Sequence, residues 1–294
     1  MGGLRRVGKR FLAAWQRLTG LLRRAGERVL AALTWLSAAL TLGALVYLVG
    51  FILVRGIPYI TPSLFSLQYN SENVSLMPAL ISTVFLTGLT LLICVPVGIF
   101  AAIYLVEYAR RGSRLVRLVR LTAETLSGVP SIVYGLFGLL FFVTYLGWGF
   151  SLLAGGFTLA IMILPLIMRS CEEALMAVPD SYREGSFGLG AGKLRTVFRI
   201  VLPSAAPGIL AGIILSIGRI VGETAALIYT AGTVARIPTS PMASVRSLSV
   251  HMYALSSEGL HMGEGYATAV VLLGVVIVIN ALSAKAAKKI GGGA

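Results

Sequence analysis

The sequence predicts an all-α integral membrane protein with six transmembrane helices behind a basic amphipathic N-terminal segment, and three observations lead there. The 294-residue chain is 57% hydrophobic and 12% charged, where a soluble domain carries about 25% charge. That leaves too little polar surface to coat a water-soluble globule, which excludes a soluble enzyme. The apolar residues fall in runs long enough to cross roughly 30 Å of hydrocarbon, a thickness that takes about 20 helical residues. Finally, the basic residues gather in alternate connections between those runs. The formal net charge of +14, which in a soluble protein suggests a nucleic-acid partner, therefore reads as membrane topology. The two cysteines, Cys94 and Cys171, are far apart and fit neither a disulfide nor a zinc pattern.

The expected spans, in order, cover residues 29–54, 77–106, 121–146, either 147–168 or 157–177, 203–230 and 266–284. The second contains Pro78 and Pro96, and the third is weakened at its start by Glu124 and Pro130. Three regions organise around them: a leader over 1–28, a six-helix domain over 29–284 and a tail over 285–294. The leader holds eight basic residues, the 107–120 connection five, the 169–199 connection five and the tail three, which places twenty-one of twenty-five on one side. By the positive-inside tendency both termini face the cytoplasm, and an even number of spans agrees. The leader's basic region is too long for a secretory signal and the run after it is of spanning length, so it reads as uncleaved. Leu4, Phe11, Leu12, Trp15, Leu18, Leu21 and Leu22 lie among its arginines at helical spacing. That pattern suits an amphipathic helix on an anionic lipid surface rather than a nucleic-acid arm. His251, His261 and Glu264, in an outer loop, match no standard metal-ligand spacing.

Charges within spans carry the functional expectation. Arg219 lies just past the middle of 203–230, where inserting an arginine costs about 2.5–3.5 kcal/mol. Glu223 follows four residues later, on the same face of a continuous helix. Such a pair either neutralises itself inside the bundle or offers a positive site on the path of an anion, since an arginine fork binds phosphate oxygens bidentately. If the fourth span is 157–177, Arg169, Glu172 and Glu173 form a second intramembrane cluster; if it is 147–168, Arg169 is an inner-edge anchor. Gly208/Gly212 and Gly218/Gly222 are small residues four apart, a spacing that lets helices approach closely.

The 169–199 connection has nearly balanced charges and reads as a short helix from about Tyr182 to the glycines 188, 190 and 192, then a second over 193–201 leading to Pro203. Asp180-Ser181 after Pro179 gives an N-cap signal for the first. Within it, Glu184-Gly185-Ser186, three residues, Gly190, nine residues, then Ile200-Val201-Leu202-Pro203 resembles the EAA loop of ABC importer permeases. Gly185-Ser186 stands where the family pattern has Ala-Ala, at a cost of about 1 kcal/mol in helix propensity for the glycine. Two further stretches, Glu124-Thr125-Leu126-Ser127-Gly128-Val129-Pro130-Ser131-Ile132-Val133-Tyr134-Gly135-Leu136 and Gly218-Arg219-Ile220-Val221-Gly222-Glu223-Thr224-Ala225, are similar to signatures of the phosphate importer permeases. Their order, with features around 96–110, favours the PstA type over the PstC type.

The resemblance covers roughly 77–284 and implies a type I ABC importer permease fold in a bacterial inner membrane. It implies that Arg219, Glu223, Arg169 and Glu172 line a phosphate pathway, and that Glu184, Gly185, Ser186, Gly190, Ile200, Leu202 and Pro203 (in a loop of about 169–202) couple to an ATPase. It further implies a second permease of PstC type, an ATPase dimer and a phosphate-binding protein as partners, with membrane lipids around them. No G-x-x-x-x-G-K-[ST] occurs, so ATP hydrolysis is expected from another subunit; the resemblance implies no cofactor in this chain, with ATP and Mg bound by the partner ATPase. A permease for sulfate, molybdate or phosphonate is the alternative within the superfamily. A self-contained secondary transporter would show internal repeats between the two halves, and an intramembrane enzyme would need H-E-x-x-H or G-x-S-x-G; none is present.

Overall fold

The structure is a computed structural model that describes residues 2–110 and 112–291, with side chains from Gly26 onward apart from 283 and 286–291. It divides into two units, Met1–Val54 and Arg55–Ala294. The first consists of one helix, α1 (Gly2–Gly56), whose last two residues belong to the second unit. Leader and first span thus run together as one helix. No proline interrupts the chain before Pro58, where the helix gives way to a 3-10 turn over Ile57–Tyr59. The apolar stripe expected of the leader depends on side chains outside the described residues.

The second unit is built on α2 (Met77–Ile103), α3 (Arg114–Ser127), α4 (Ser131–Gly138), α5 (Leu152–Met176), α6 (Asp180–Gly188), α7 (Lys193–Thr196), α8 (Leu202–Gly222), α9 (Ala225–Ile228), α10 (Leu248–Glu258) and α11 (Met262–Gly291). Widened i→i+5 turns extend α2 through Tyr104–Tyr108 and α4 through Leu139–Tyr145, and a third, Val197–Val201, joins α7 to α8. The last sits where Pro203 would otherwise press on the Arg199 carbonyl four residues back. Among the described residues five helices are long and apolar enough to cross a membrane, and a bent pair brings the number to six where it counts as one span.

That bent pair corrects the expectation of one straight third span. α3 and the α4 segment meet at 99°, because Gly128-Val129-Pro130 stops the helix. Pro130 has no N–H to donate and steers Val129 away from helical geometry. The corner is pinned by the Tyr134 hydroxyl, which donates to the Leu126 carbonyl at 2.8 Å. The fourth span follows the second expected alternative at its far end, closing at Met176, but begins earlier. It starts at Leu152, capped by Ser151 Oγ accepting from the Ala154 amide, and runs past Met168, so Arg169, Glu172 and Glu173 are all helical.

α5 is the central post, packed by α2, α8, α3 and α4; Leu159, Ile163, Ile167 and Leu175 along it are fully buried. Gly208 and Gly212 let α8 approach closely, since a Cβ on Gly208 would meet Ala174 Cβ at 2.8 Å and one on Gly212 would strike Ser170. A Cβ on Gly218 or Gly222 would meet nothing within 4 Å among the described residues, so this second pair is open there rather than packed on a neighbouring helix. α6 and α7 form a knob at one end of the bundle. The opposite end is closed by α10, stitched to α2 by the Leu248 amide donating to Thr83 Oγ1 at 2.8 Å.

Candidate functional site

Two helix breaks face each other in the bundle. One is the α3–α4 corner; the other lies between α8 and α9, where α8 stops at Gly222 and Glu223 is extended (φ −72°, ψ 129°). This corrects the expectation that Arg219 and Glu223 share a helical face. Glu223 instead caps the turn beyond, its Oε1 accepting from the Ala226 amide at 3.1 Å and its own carbonyl accepting from Ser249 Oγ at 2.6 Å. A carboxylate placed three residues before a helical amide satisfies a donor that the helix leaves free, which is why the chain can break there. The two breaks touch where Gly135 of α4 packs against the Ala226 backbone. Arg219, in the last turn of α8, is exposed. No ion pair among the described residues includes Arg219.

The other two expected pathway residues lie toward the knob end and take different partners. Arg169 Nε donates to Glu173 Oε1 at 3.0 Å, with both side chains exposed. Glu172 is buried and paired with Arg120 of α3, whose Nε donates to Glu172 Oε1 at 2.6 Å. Both pairs, with Glu124 and Ser127, line a cleft of about 500 Å³ between α3 and α5. Arg120 was counted in the sequence only as a topology charge; its signal is the Arg114/Arg117/Arg120 spacing along one side of α3. So the four residues form two stations, Arg219/Glu223 and Arg169/Glu172, rather than one cluster.

The knob is more ordered than a solvated connector. α6 begins at Asp180 itself, after Pro179, so Asp180 is a first-turn acid and not the N-cap, and its helix starts two residues earlier than expected. The residues 193–201 do not form a separate helix; they run unbroken into α8, giving one helix over Lys193–Gly222. Gly190 makes the turn with φ +82°, a left-handed conformation that favours glycine. Ser186 is buried and shares a 2.8 Å hydrogen bond with Thr196 Oγ1, so the serine at the family's alanine position ties α6 to α7. Outside, Phe187, Leu189 and Leu194 are exposed, Leu189 by 91%. Glu184 is exposed as well. Ile200 helps line an open cleft of about 970 Å³ with Leu189, Gly190, Leu194 and Phe198, while Leu202 and Pro203 start α8. Exposed leucines rimmed by Arg195, Arg199 and Glu184 suit a protein-docking surface.

Arg183 is the knob residue the sequence did not single out. Its guanidinium pairs with Glu107 at the end of α2 at 2.7 Å, with both side chains largely buried. His251 is fully buried on α10 against Val74, whereas His261 and Glu264 pair with each other at the start of α11 at 3.8 Å; the three do not converge.

Comparison with known proteins places this geometry. A family model described as binding-protein-dependent transport system inner membrane component matches residues 94–290. The probable ABC transporter permease protein YqgI of Bacillus subtilis is 34% identical over 245 residues, 76% of this chain and 81% of that protein. The phosphate transport system permease protein PstA 1 of Mycobacterium tuberculosis is 38% identical over 209 residues, 70% of this chain and 68% of that protein. Among solved structures, a bacterial alginate ABC transporter in complex with an alginate-bound periplasmic protein superposes with TM-score 0.63 at 17% identity, covering 87% of this chain and 95% of that one. The inward-facing MetNI methionine ABC transporter superposes with TM-score 0.57 at 20% identity, covering 82% and 96%.

Proposed function

The chain belongs to the binding-protein-dependent transport system inner membrane components, and from that premise we propose that it is the membrane-spanning permease subunit of an ATP-driven importer that moves inorganic phosphate into the cytoplasm. The observation that carries this reading is Arg219: a permanent cation, exposed and outside every ion pair among the described residues, at the meeting point of two broken helices. Broken helices at such a point line substrate paths in transporters. The relatives named as phosphate permeases support the anion assignment.

Arg219 holds phosphate oxygens through its planar fork, while the nearby Glu223 carboxylate opposes the same anion and keeps residence short. A path must bind weakly enough to release. Toward the knob end, Arg169 exchanges Glu173 for the passing anion; Glu172 stays neutralised by Arg120 and shapes the wall. The Arg120–Glu172 pair is a part of the path that residues Arg169 and Glu172 alone did not reveal.

Glu184, Gly185, Ser186, Gly190, Ile200, Leu202 and Pro203 form the surface that meets the ATPase, with its exposed leucines as the apolar centre. The second permease is of the PstC type and faces the open Gly218/Gly222 side. A phosphate-binding protein delivers substrate at the α10 end. Both termini and the knob lie in the cytoplasm, as the basic-residue distribution supports. Hydrolysis of ATP belongs to the partner subunit.

The test is phosphate uptake by cells lacking their own high-affinity system, with the partner subunits co-expressed and excess sulfate and molybdate as competitors. The expected result is ATP-dependent uptake that resists both competitors and is lost in Arg219→Gln at equal membrane abundance. Uptake abolished by either competitor moves the assignment to that oxyanion, and full uptake by Arg219→Gln returns Arg219 to a structural role.

A further inference from the structure

All three guanidinium nitrogens of Arg183 are committed, and to three different parts of the fold. Nε and Nη2 both donate to Glu107 Oε1, at 3.0 and 2.7 Å, at the end of α2. Nη2 also donates to the Leu175 carbonyl at 3.0 Å, and Nη1 to the Val178 carbonyl at 2.8 Å, at the end of α5. Nη1 reaches Asp180 Oδ1 at 3.3 Å within its own helix. The carbonyls that end a helix have no partner in it and attract a cation. The side chain is 14% exposed and that of Glu107 8%, so solvent does little to screen the pair. A second tie runs alongside, Lys193 Nζ lying 5.0 Å from the Tyr108 ring centroid. A surface connector needs none of this; two helix ends held by one buried side chain on a third helix make a joint.

We propose that Arg183 is the positioning residue that makes the knob and the adjoining ends of α2 and α5 one rigid body, so that displacement of the knob by a docked ATPase moves both helices together. The proposal rests on the permease reading above. The Ser186–Thr196 bond completes the body by fixing α6 to α7. Lysine could substitute only in part, because one ammonium keeps the charge facing Glu107 but cannot also reach both carbonyls with the planar geometry of the fork.

The experiment uses the assembled complex, with its second permease, ATPase and binding protein, in lipid nanodiscs. Spin labels are placed at Ser181→Cys on α6 and Tyr104→Cys at the end of α2, both exposed sites; the native Cys94 and Cys171 are buried. The distance is read without nucleotide and after trapping with ATP and vanadate. With Arg183 intact the separation is expected to stay constant, and in Arg183→Gln it is expected to shift on trapping by about one helical rung, ~5 Å. A shift in the parent of the same size, or no shift in Arg183→Gln, overturns the proposal. Should Arg183→Gln fail to assemble, Glu107→Gln decides, because it frees α2 alone: a constant distance there overturns the joint.

Uptake and hydrolysis are measured on the same samples. Arg183→Gln is expected to lower phosphate moved per ATP about tenfold with its KM for phosphate unchanged, and Arg183→Lys to recover part of it. An unaltered ratio overturns the proposal. A parent complex that shows the expected label distances but carries no phosphate overturns the substrate assignment and leaves the joint standing.

Discussion

Acidification is expected to loosen the α10 end of the bundle through one imidazole. His251 is fully buried. Its Nδ1 accepts from the Arg246 guanidinium at 3.3 Å, which leaves Nε2–H to donate to the Val74 carbonyl at 3.3 Å. The neutral ring therefore satisfies both contacts, and a second proton would turn Nδ1 into a donor facing a cation. Burial first, and the Arg246 charge second, hold the pKa down at about 4, against the smaller pull of the Val74 carbonyl. In the opened or unfolded chain the same group titrates near 6.5. Above pH 6.5 both states are neutral and the stability is fully present. Between 6.5 and about 4 the open chain takes up a proton that the folded one refuses, so stability falls as pH falls. Below about 4 both are charged and the loss levels off. At about 1.4 kcal/mol per pH unit, moving from pH 7.5 to 5 removes about 2 kcal/mol, a roughly 30-fold rise in the opening equilibrium.

Hydrogen–deuterium exchange of the α10 amides, corrected for intrinsic rates, reads that rise directly. Carboxylates titrate in the same window, so the parent is compared with His251→Gln, and only the parent is expected to show the additional 30-fold. Parallel pH profiles in parent and variant, or slower exchange at pH 5, would refute the reasoning.

Other perturbations follow the same accounting. Arg120→Gln leaves Glu172 buried without its partner and is expected to cost about 1–3 kcal/mol, whereas adding Glu172→Gln restores most of the thermal stability of the purified complex. Gly212→Val drives a side chain into Ser170 and is expected to lower membrane abundance through overpacking of about 1–3 kcal/mol; Gly218→Val, where a Cβ meets nothing within 4 Å among the described residues, is expected to keep its abundance when expressed alone and to fail in co-purification with the second permease. Glu184→Arg is expected to weaken ATPase retention in pull-downs while the permease itself accumulates normally.

The apolar runs revealed nearly all of the bundle because a spanning helix is a long, local pattern. They failed where a few residues countermand the average. A hydropathy window passes over Gly128-Val129-Pro130, although Pro130 is itself the break. It also carries the fifth span through Glu223, whose cap on the Ala226 amide is visible only once the turn exists. Arg219 was legible because a lone cation in an apolar run has few uses. Its separation from Glu172 was not, because the partner that claims Glu172 is 52 positions away on α3. Arg183 and Glu107 are likewise 76 positions apart, and as isolated letters both look like ordinary loop charges. Position along the chain identifies candidates, and tertiary packing decides which of them meet.

The unbroken helix over Lys193–Gly222 spans 30 residues, a rod of about 45 Å at 1.5 Å per residue. One end lies in the knob and the other carries Arg219. On the proposed transport reading such a rod would act as a lever: a tilt of about 10° at the knob would sweep Arg219, about 39 Å away, through ~7 Å, a displacement larger than a phosphate ion. Stroke at the substrate is then set by helix length and pivot position rather than by a chain of side-chain rearrangements. Inserting or deleting a single residue between the pivot and Arg219 would change the reach by only about 1.5 Å but turn the arginine by about 100° around the rod, so the gearing of this machine is fixed by residue count.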